Sequence, residues 1–338
     1  MRGAGGEGKR DGRRSSVRPR RDVPGWPKQL TVEAPASSAN LGPGFDALAL
    51  ALDMWLRVTV TPLDAGAESL EVEGEGAEEI GMDAGNRFLI GLEHGLEEFG
   101  LDPPVMRIEM SNAIPLARGL GSSAAASVAG LRAAEALAGH ELGEARLLEL
   151  ATAIEGHPDN ASAAVLGGFV IASERPARFD PPMSLVAALF IPDVALRTAR
   201  MRDLLPESVS HADAAHNVGR TAMVVAALTS GSRLDLLAAM SDDRLHEPYR
   251  VAHFPQLPEL VRAARDAGAL GAALSGAGST VIALTDDETI AKRAADAMAG
   301  AAAGLDLVGR AMVVKPAVGG ARLVESTAAG STAAGSAR

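Results

Sequence analysis

Two kinds of hydrophobic pattern alternate along the chain, and the shorter one has the period of a β-strand. In these runs, apolar residues either alternate with polar ones or form short apolar stretches bounded by turn residues. Such runs are typical of strands that bury one or both faces in a core. They predict strands at Gln29–Ala34, Ala47–Thr61, Val105–Met110, Gly168–Ala172, Leu185–Ile191 and Thr280–Leu284.

The longer pattern repeats its apolar positions every three to four residues, which is the period of an amphipathic helix. It predicts helices at Asn86–Phe99, Ser122–Ala138, Glu144–Glu155, Ala214–Thr229, Arg233–Ala239, Leu257–Ala267 and Glu288–Ala302. Strands followed by helices, then more of both, predict an α+β two-layer architecture. The paired prolines after Asp180 interrupt regular structure and indicate a boundary between two halves.

Both ends of the chain lack a periodic apolar pattern. Residues 1–28 combine Gly, Arg and Pro, and residues 326–338 are a near-repeat of small residues, STAAGSTAAGSAR. Neither composition can bury enough apolar surface to fold, so we expect two disordered tails. The basic N-terminal tail is compatible with a nucleic-acid or membrane arm and with a solvated extension, and we favour the solvated extension.

The composition of the 338 residues argues against several classes of protein. The net charge of −11 is unfavourable for a general nucleic-acid binder, because a phosphate backbone requires a basic surface. The chain has no cysteine, which excludes disulfides and thiolate metal sites. No apolar run reaches the roughly 18 residues of a membrane span. With no signal-like apolar segment near the N-terminus, we expect a cytoplasmic protein without a membrane partner.

Residues 114–126, IPLARGLGSSAAA, place two glycines and two serines ahead of an alanine-rich helix. Glycine lets the backbone turn tightly and approach a ligand closely, and Ser122 or Ser123 is a natural N-cap. The N-terminus of a helix has free N–H groups and a partial positive charge, which together favour a phosphate. The stretch indicates either a phosphate site or a glycine loop that only packs the helix against a sheet.

Two common nucleotide motifs do not account for this stretch. A Walker A loop requires Gly-Lys-Ser/Thr, which the chain lacks. Residues 119–124 do fit the dinucleotide pattern G-x-G-x-x-A, but that pattern follows a strand directly and needs an acidic residue at the end of a second strand. Here residues 111–118 separate the glycines from the preceding strand, so a nicotinamide cofactor is not expected.

Three separated stretches together resemble a known family. They are residues 35–46, PASSANLGPGFD; residues 115–125, PLARGLGSSAA; and residues 274–280, LSGAGST. Their order and spacing are similar to the three motifs of the GHMP small-molecule kinases. The first motif also resembles, more specifically, the homoserine kinases of that family, as do EGHPDN at 155–160, TARMRDLLP from Thr198 and EPYR ending at Arg250.

This resemblance covers residues 29–323 and implies a two-domain fold with the active site in the cleft between the domains. The implied N-terminal domain, residues 29–183, is similar to ribosomal protein S5, and the implied C-terminal domain, residues 184–325, is ferredoxin-like. The resemblance also implies an enzyme that uses ATP and Mg²⁺ to phosphorylate L-homoserine to O-phospho-L-homoserine in threonine biosynthesis. A homodimer is expected on the same basis.

The same resemblance assigns residues to a zwitterionic substrate that carries a hydroxyl group. Asp46 would bind the ammonium group, while Arg202 and Arg250 would bind the carboxylate, whose shape suits planar guanidinium groups. Asn160 would orient the reacting hydroxyl. The other polar groups implied for this pocket are Asn40, His157 and Thr198.

For the nucleotide, the resemblance implies that the glycine-serine stretch wraps the phosphates and that Asn86 lies near the adenine. Ser123 and Glu149 match the family's magnesium ligands, with Glu155 as the rival acid; magnesium usually takes only one or two ligands from protein. The residues implied for the phosphates are Pro115, Leu116, Ala117, Arg118, Gly119, Leu120, Gly121, Ser122, Ser123, Ala124 and Ala125.

The motifs contain no lysine, since the lysines at positions 9, 28, 292 and 315 all lie outside them. We therefore expect phosphoryl transfer that relies on positioning and charge neutralisation, without a strong general base. Ser279, in the third motif, departs from the proline or glycine often found there.

Three other functions stay open from the sequence. A kinase of the same fold could act on a sugar or an isoprenoid precursor, although Asp46 and Arg250 suit an amino acid better than an uncharged polyol. A catalytically silent ligand sensor would be expected to have lost phosphate or magnesium positions, yet the motif glycines, Ser123 and Glu149 are present. A nucleic-acid-binding protein would have to use the Arg-rich tail.

Overall fold

The computed structural model describes residues 25–196 and 198–327, which form two sheets and the helices that cover them. The strands are β1 (Gln29–Ala39), β2 (Leu48–Pro62), β3 (Ser69–Gly74), β4 (Met106–Asn112), β5 (Phe169–Ile171), β6 (Ala177–Phe179), β7 (Val186–Pro192), β8 (Gly271–Leu274), β9 (Val281–Thr285), β10 (Gly309–Val314) and β11 (Arg322–Thr327). The helices are α1 (Arg87–Phe99), α2 (Ser122–Ala138), α3 (Glu144–Glu155), α4 (Pro158–Leu166), α5 (Thr198–Arg202), α6 (His211–Ser230), α7 (Glu247–Arg250), α8 (Leu257–Asp266) and α9 (Glu288–Ala303), with a 3-10 helix at Leu234–Ser241.

The first sheet has the strand order β11-β1-β2-β4-β3, with β5 paired to β2 and β6 paired to β5. Its pairs are antiparallel except for β3 with β4, which is parallel. Along β2, Met54, Leu56 and Val58 are buried while Asp53 and Arg57 are exposed, as expected from the two-residue period of a strand. Helices α2 and α4 pack on this sheet and carry α1 and α3 on their outer side.

The second sheet is antiparallel, with the order β10-β7-β9-β8. Every residue of β7 is buried, and its two faces belong to different cores. Leu189 and Ile191 join the main core together with α6, whereas Ala188 and Phe190 pack with α8 and α9. Because both faces are covered, the sequence of β7 is a continuous apolar run and does not alternate between apolar and polar residues.

The predicted α+β architecture is confirmed, and the predicted strands and helices are present with shifted ends. The predicted helix Arg233–Ala239 is instead a 3-10 helix. The pattern missed short or exposed elements, which carry little periodic signal: β3, β6, β8, β10, β11, α4, α5 and α7. In the part of the chain that the structure describes, no helix is both long and apolar enough to cross a bilayer.

The last strand changes the expected division of the chain. β11 pairs with β1, at the edge of the first sheet, and brings Thr327 opposite Gln29. A single division at residue 183 therefore does not describe the chain, because the main-chain hydrogen bonds of residues 322–327 belong to the first sheet. Two residues of the expected C-terminal tail, 326 and 327, are part of this strand. The other tail residues, 1–24 and 328–338, lie outside the described residues; residues 25–28 of the expected N-terminal tail are described and lead into β1.

Candidate active site

A cleft between the two sheets encloses a cavity of about 360 Å³. Its walls come from the β1–β2 loop, the start of α2, the turn between α3 and α4, helix α5, Arg250 of α7, and the Gly276–Ala277 turn after β8. Segments from both halves of the chain thus meet at one place. The cleft can form only when both sheets are folded together.

The start of α2 has no side-chain cap. Gly121 is the N-cap residue, in the left-handed conformation with φ of 69°, so the prediction that Ser122 or Ser123 caps the helix is wrong. A Cβ at Gly121 would stand 2.1 Å from Ser37 Oγ, and one at Gly119 would stand 2.1 Å from the Ser275 carbonyl oxygen. The close approach of these segments therefore requires glycine, and the first N–H groups of α2 face the cleft without a side-chain acceptor from the cap.

The third motif supports this loop from behind. Ser275 Oγ donates a hydrogen bond to the Gly119 carbonyl at 2.7 Å. Ser279 is fully buried and its hydroxyl donates to the Val194 carbonyl, which follows β7. The serine at this position therefore joins the third motif, between β8 and β9, to the segment that follows β7.

Glu155, at the end of α3, is the acidic side chain beside the start of α2. Its Oε1 accepts hydrogen bonds from Ser123 Oγ at 3.0 Å and from Ser127 Oγ at 2.8 Å. Glu149, predicted as a magnesium ligand, is not brought to the cleft: its side chain is 66% exposed and pairs with Arg146 at 2.7 Å. The assignment of Glu149 is thus wrong for this geometry, and the rival acid Glu155 occupies the place expected for it.

Asp46 and Arg202, expected at opposite ends of a zwitterion, bind each other. Arg202 donates from Nη1 to Asp46 Oδ2 at 2.9 Å and from Nη2 to Oδ1 at 2.5 Å. Asn40 Oδ1 accepts from the backbone N–H of Asp46 and holds the loop that carries it. The hydrogen bonds to Asp46 raise the pKa of Arg202 above its usual value. Each of the two groups thus neutralises the other while facing the cleft.

Arg250 is 1% exposed and has no carboxylate within ion-pair distance among the described residues. Its Nη1 donates to the Gly276 carbonyl and to His246 Nδ1, both at 2.9 Å. Burial lowers the pKa of Arg250 to about 10, and the nearby charge of Arg202 adds to the shift. A buried cation that lines a cavity and forms no ion pair within 4 Å with any described residue is suited to an anionic group of a ligand.

His157 is the N-cap residue of α4, and Asn160 lies in the first turn of that helix. Asp159, which is buried, accepts from His157 Nδ1 at 2.7 Å, leaving Nε2 for the cleft. The hydrogen bond to Asp159 raises the pKa of His157, against the opposing effect of burial. Asn160 Oδ1 accepts from Ser37 Oγ at 2.8 Å, so its amide N–H₂ group is the part left to contact a ligand.

The structure brings most of the predicted residues to one cavity. These are Asn40, Asp46, His157, Asn160, Thr198, Arg202 and Arg250, together with Pro115 and the segment Ala117–Ala124. Leu116, Ala125, Asn86 and Glu149 do not line it. Asn86 instead caps α1, because its Oδ1 accepts from the N–H groups of Phe88 and Leu89. Five more residues line the cavity that the sequence did not indicate as site residues: Arg87, Asp159, Ala199, Gly276 and Ala277.

Comparison with known proteins agrees with this geometry. Residues 86–168 match the family "GHMP kinases N terminal domain", and residues 224–303 match "GHMP kinases C terminal". The homoserine kinase of Streptomyces coelicolor is 44% identical over 279 residues, which cover 80% of this chain and 88% of that protein. The homoserine kinase of Streptomyces avermitilis is 43% identical, covering 78% of this chain and 88% of that protein.

Among solved structures, the crystal structure of homoserine kinase from Cytophaga hutchinsonii superposes with a TM-score of 0.79 at 28% identity, covering 88% of this chain and 98% of that one. The two family matches and the fold are those of a GHMP kinase. Within that class, the chain belongs to the homoserine kinase family.

Proposed function

We propose that this chain transfers the γ-phosphoryl group of ATP to the side-chain hydroxyl of L-homoserine, forming O-phospho-L-homoserine and ADP in threonine biosynthesis. The observation that carries the proposal is the single cleft in which charged groups for both ends of an amino acid face an uncapped helix N-terminus. The names of the relatives, all homoserine kinases, support the choice of substrate.

The ion pair in the cleft supports a zwitterionic substrate. Asp46 and Arg202 neutralise each other, and a ligand with an ammonium and a carboxylate group can replace both partners at once. Arg250 supplies a second cation for the carboxylate. An uncharged polyol would leave Arg250 buried without an anion, and buried polar groups without partners are costly. The site therefore favours an amino acid over a sugar or an isoprenoid alcohol.

The start of α2 suits the phosphates of ATP, because free amide groups and the helix dipole both favour an anion. Ser123 and Glu155 also fit a magnesium ion: they offer hard oxygen atoms, 3.0 Å apart, beside the helix start. Within residues 25–196 and 198–327 no group of three His, Asp or Glu side chains could hold a metal. We propose that ATP phosphates supply most of the magnesium ligands. The ion would neutralise charge on the transferred phosphoryl group.

We assign the chemical step to positioning. Asn160 is held by Ser37 through its Oδ1, so its N–H₂ group would donate to the substrate hydroxyl and leave an oxygen lone pair directed at the phosphate. Asp159 accepts from His157 Nδ1, so Nε2 is the ring atom left to form a hydrogen bond with the substrate. Because the transition state of phosphoryl transfer is loose, this orientation does not require a strong base.

An ADP-release assay over L-homoserine, L-serine, L-threonine, galactose and mevalonate tests the proposal. We expect the highest kcat/KM with L-homoserine. A higher value with galactose or mevalonate would assign the chain to a different substrate, and no ADP release with any of the five would favour a silent ligand sensor.

Glu149 and Glu155, both on α3, offer a matched pair of variants. We expect Glu155→Gln to lower kcat by about 100-fold or more, since it removes the anionic oxygen ligand from the proposed magnesium site. Glu149→Gln removes the same charge from an exposed position on the same helix and should change kcat less than about twofold. Rates measured over a range of Mg²⁺ concentrations check both; equal losses would contradict the assignment of Glu155.

We further propose a homodimer located in the cytoplasm, on the resemblance to the family alone. Sedimentation velocity of the purified chain measures the oligomeric state. Fractionation of cells measures the location.

A further inference from the structure

Arg250 is held in place by neutral groups only. It is a buried cation whose hydrogen-bond acceptors are the His246 ring and the Gly276 carbonyl, and its Nε has no partner. Among the described residues no carboxylate lies within 4 Å of it, although Asp46, Glu247 and Asp243 attract it from further away. Its position therefore depends strongly on the few acceptors it has. His246 is one of those two acceptors.

The hydrogen bonds of His246 determine its tautomer. Its ring is fully buried; Nδ1 faces Arg250 at 2.9 Å, and Nε2 faces the Gly42 carbonyl at 2.7 Å. Arginine can only donate, so Nδ1 must accept and Nε2 must carry the proton that Gly42 accepts. Burial lowers the pKa of His246 to about 4, with Arg250 contributing and Asp243 opposing. The ring is therefore neutral near pH 7.

Gly42 belongs to the loop that carries Asp46. In this loop Asn40, Leu41 and Asp46 have positive φ values of 70°, 51° and 54°, which non-glycine residues adopt only where their surroundings hold them. The hydrogen bond from His246 is one such restraint. A single imidazole thus connects the loop of Asp46, in the first half of the chain, with Arg250 in the second half.

Phe45 completes this connection. Its ring centroid lies 5.4 Å from that of His246 and 5.6 Å from the Cζ atoms of both Arg202 and Arg250. The Phe45 and His246 rings therefore pack beside both guanidinium groups that face the cleft. Displacing His246 would remove support from both.

We propose that the neutral imidazole of His246 is a positioning residue that fixes Arg250 relative to the Asp46 loop, and that selection of a substrate with a carboxylate depends on it. His246 does not line the cavity, so it acts through Arg250 and Gly42. The proposal rests on the proposed function, because it concerns the homoserine carboxylate.

Variants of His246 test this role, because their effects on KM for L-homoserine and on KM for ATP can be measured separately. Leucine removes both hydrogen bonds. Glutamine can accept from Arg250 and donate to Gly42, whereas asparagine is too short to reach both. His253→Leu is the control, since His253 is exposed and only a few residues further along the chain. For each variant, KM for L-homoserine, KM for ATP and the preference for L-homoserine over L-homoserine amide are measured.

We expect His246→Leu to raise KM for L-homoserine about 10- to 100-fold, the effect of one or two lost hydrogen bonds at a charged group. KM for ATP should change less than about twofold. L-homoserine amide lacks the carboxylate charge, so the preference for L-homoserine over the amide should fall by about the same factor as KM for L-homoserine rises. His246→Gln should retain most of the wild-type values, and His246→Asn should resemble His246→Leu.

An unchanged KM for L-homoserine, or an equal rise for both substrates with the preference over the amide intact, would overturn the proposal. If His246→Leu does not fold, His246→Gln and His246→Asn are compared instead. Equal KM values for L-homoserine in these two variants would overturn the proposal. Wild-type protein without homoserine kinase activity would refute the proposed function and this proposal together. The outcomes for the His246 variants, by contrast, bear on this proposal alone.

Discussion

Among single residues, Asp159 shows how one buried carboxylate sets the state of its neighbour. It accepts from His157 Nδ1 and from the backbone N–H of Asn160, both at 2.7 Å. The bond raises the pKa of His157, while burial and the charge of Arg202 lower it. The negative charge of Asp159 stabilises the protonated imidazole, so removing that charge must make His157 lose its proton at lower pH.

We therefore predict that Asp159→Asn lowers the pKa of His157, because the amide keeps the shape of the carboxylate without its charge. A titration of the ring nitrogens by NMR measures this, and His157→Gln identifies the resonances. A pKa that is unchanged or higher in Asp159→Asn would show that another group controls the ring.

Glu149 and Glu155, both on α3, show why the sequence predicts the wrong acid beside α2. Glu149 and Glu155 are six residues apart, which places them about 240° apart around a helix. Only one of them can face α2, and the pattern of the sequence does not show which. For Asn86 the signal was present: a polar residue directly before a helical pattern is a natural N-cap, and the structure uses its side chain in that way.

Among the elements, α2 lines the cleft with its first turn, and its two ends permit a controlled test. Gly121 and Gly139 flank the same helix with nearly equal φ values, 69° and 68°. A Cβ at Gly121 would meet Ser37 Oγ at 2.1 Å and Asn160 Oδ1 at 3.1 Å, whereas one at Gly139 would meet nothing within 4 Å. The two positions share the backbone strain but not the surroundings.

We predict that Gly139→Ala lowers the free energy of unfolding by about 1 kcal/mol, the cost of a left-handed alanine, and leaves kcat unchanged. Gly121→Ala should carry the same strain and also displace Ser37 and Asn160, lowering kcat by about 100-fold or more. Urea unfolding and ADP release check both variants. Full activity in Gly121→Ala would show that the loop does not need its close approach.

The elements that the sequence predicts well are those with a buried face. β2 alternates between buried and exposed residues, and α1 buries one stripe, so both leave a period in the sequence. All six residues of β11 are exposed, which leaves no pattern to detect. Its pairing with β1 depends on main-chain hydrogen bonds, and these are formed by any sequence without proline.

At the scale of the whole molecule, the cleft exists because the two halves are joined around it. The resemblance of three motifs predicts that they meet, but it does not show which contacts hold the halves together. Arg118 is one of these contacts. Its Nε donates to the Pro192 carbonyl at 3.1 Å and its Nη2 to the Asp193 carbonyl at 2.6 Å, both at the end of β7 in the second sheet.

The backbone around Arg118 continues this junction. The Leu196 N–H donates to the Ala117 carbonyl, and the Thr280 N–H donates to the Arg118 carbonyl. The Arg118 Nη1 donates back to the Leu116 carbonyl at 2.6 Å. Although family resemblance assigns Arg118 to the phosphates, its guanidinium is engaged with carbonyl groups that fix the phosphate loop against the second sheet.

These contacts predict that Arg118→Leu lowers the free energy of unfolding by about 1 to 3 kcal/mol, because three carbonyl groups, two of them in part-buried hydrogen bonds, lose a charged donor. KM for ATP should rise less than about threefold. Arg118→Lys keeps the charge but cannot reach three carbonyls in separate directions, so its stability should be closer to that of the Leu variant than to wild type. A phosphate-binding Arg118 would give the opposite result: KM for ATP would rise strongly in Arg118→Leu and recover in Arg118→Lys, with little change in stability. Urea unfolding and ATP saturation curves of the two variants therefore decide whether this arginine joins the halves of the molecule or binds the nucleotide.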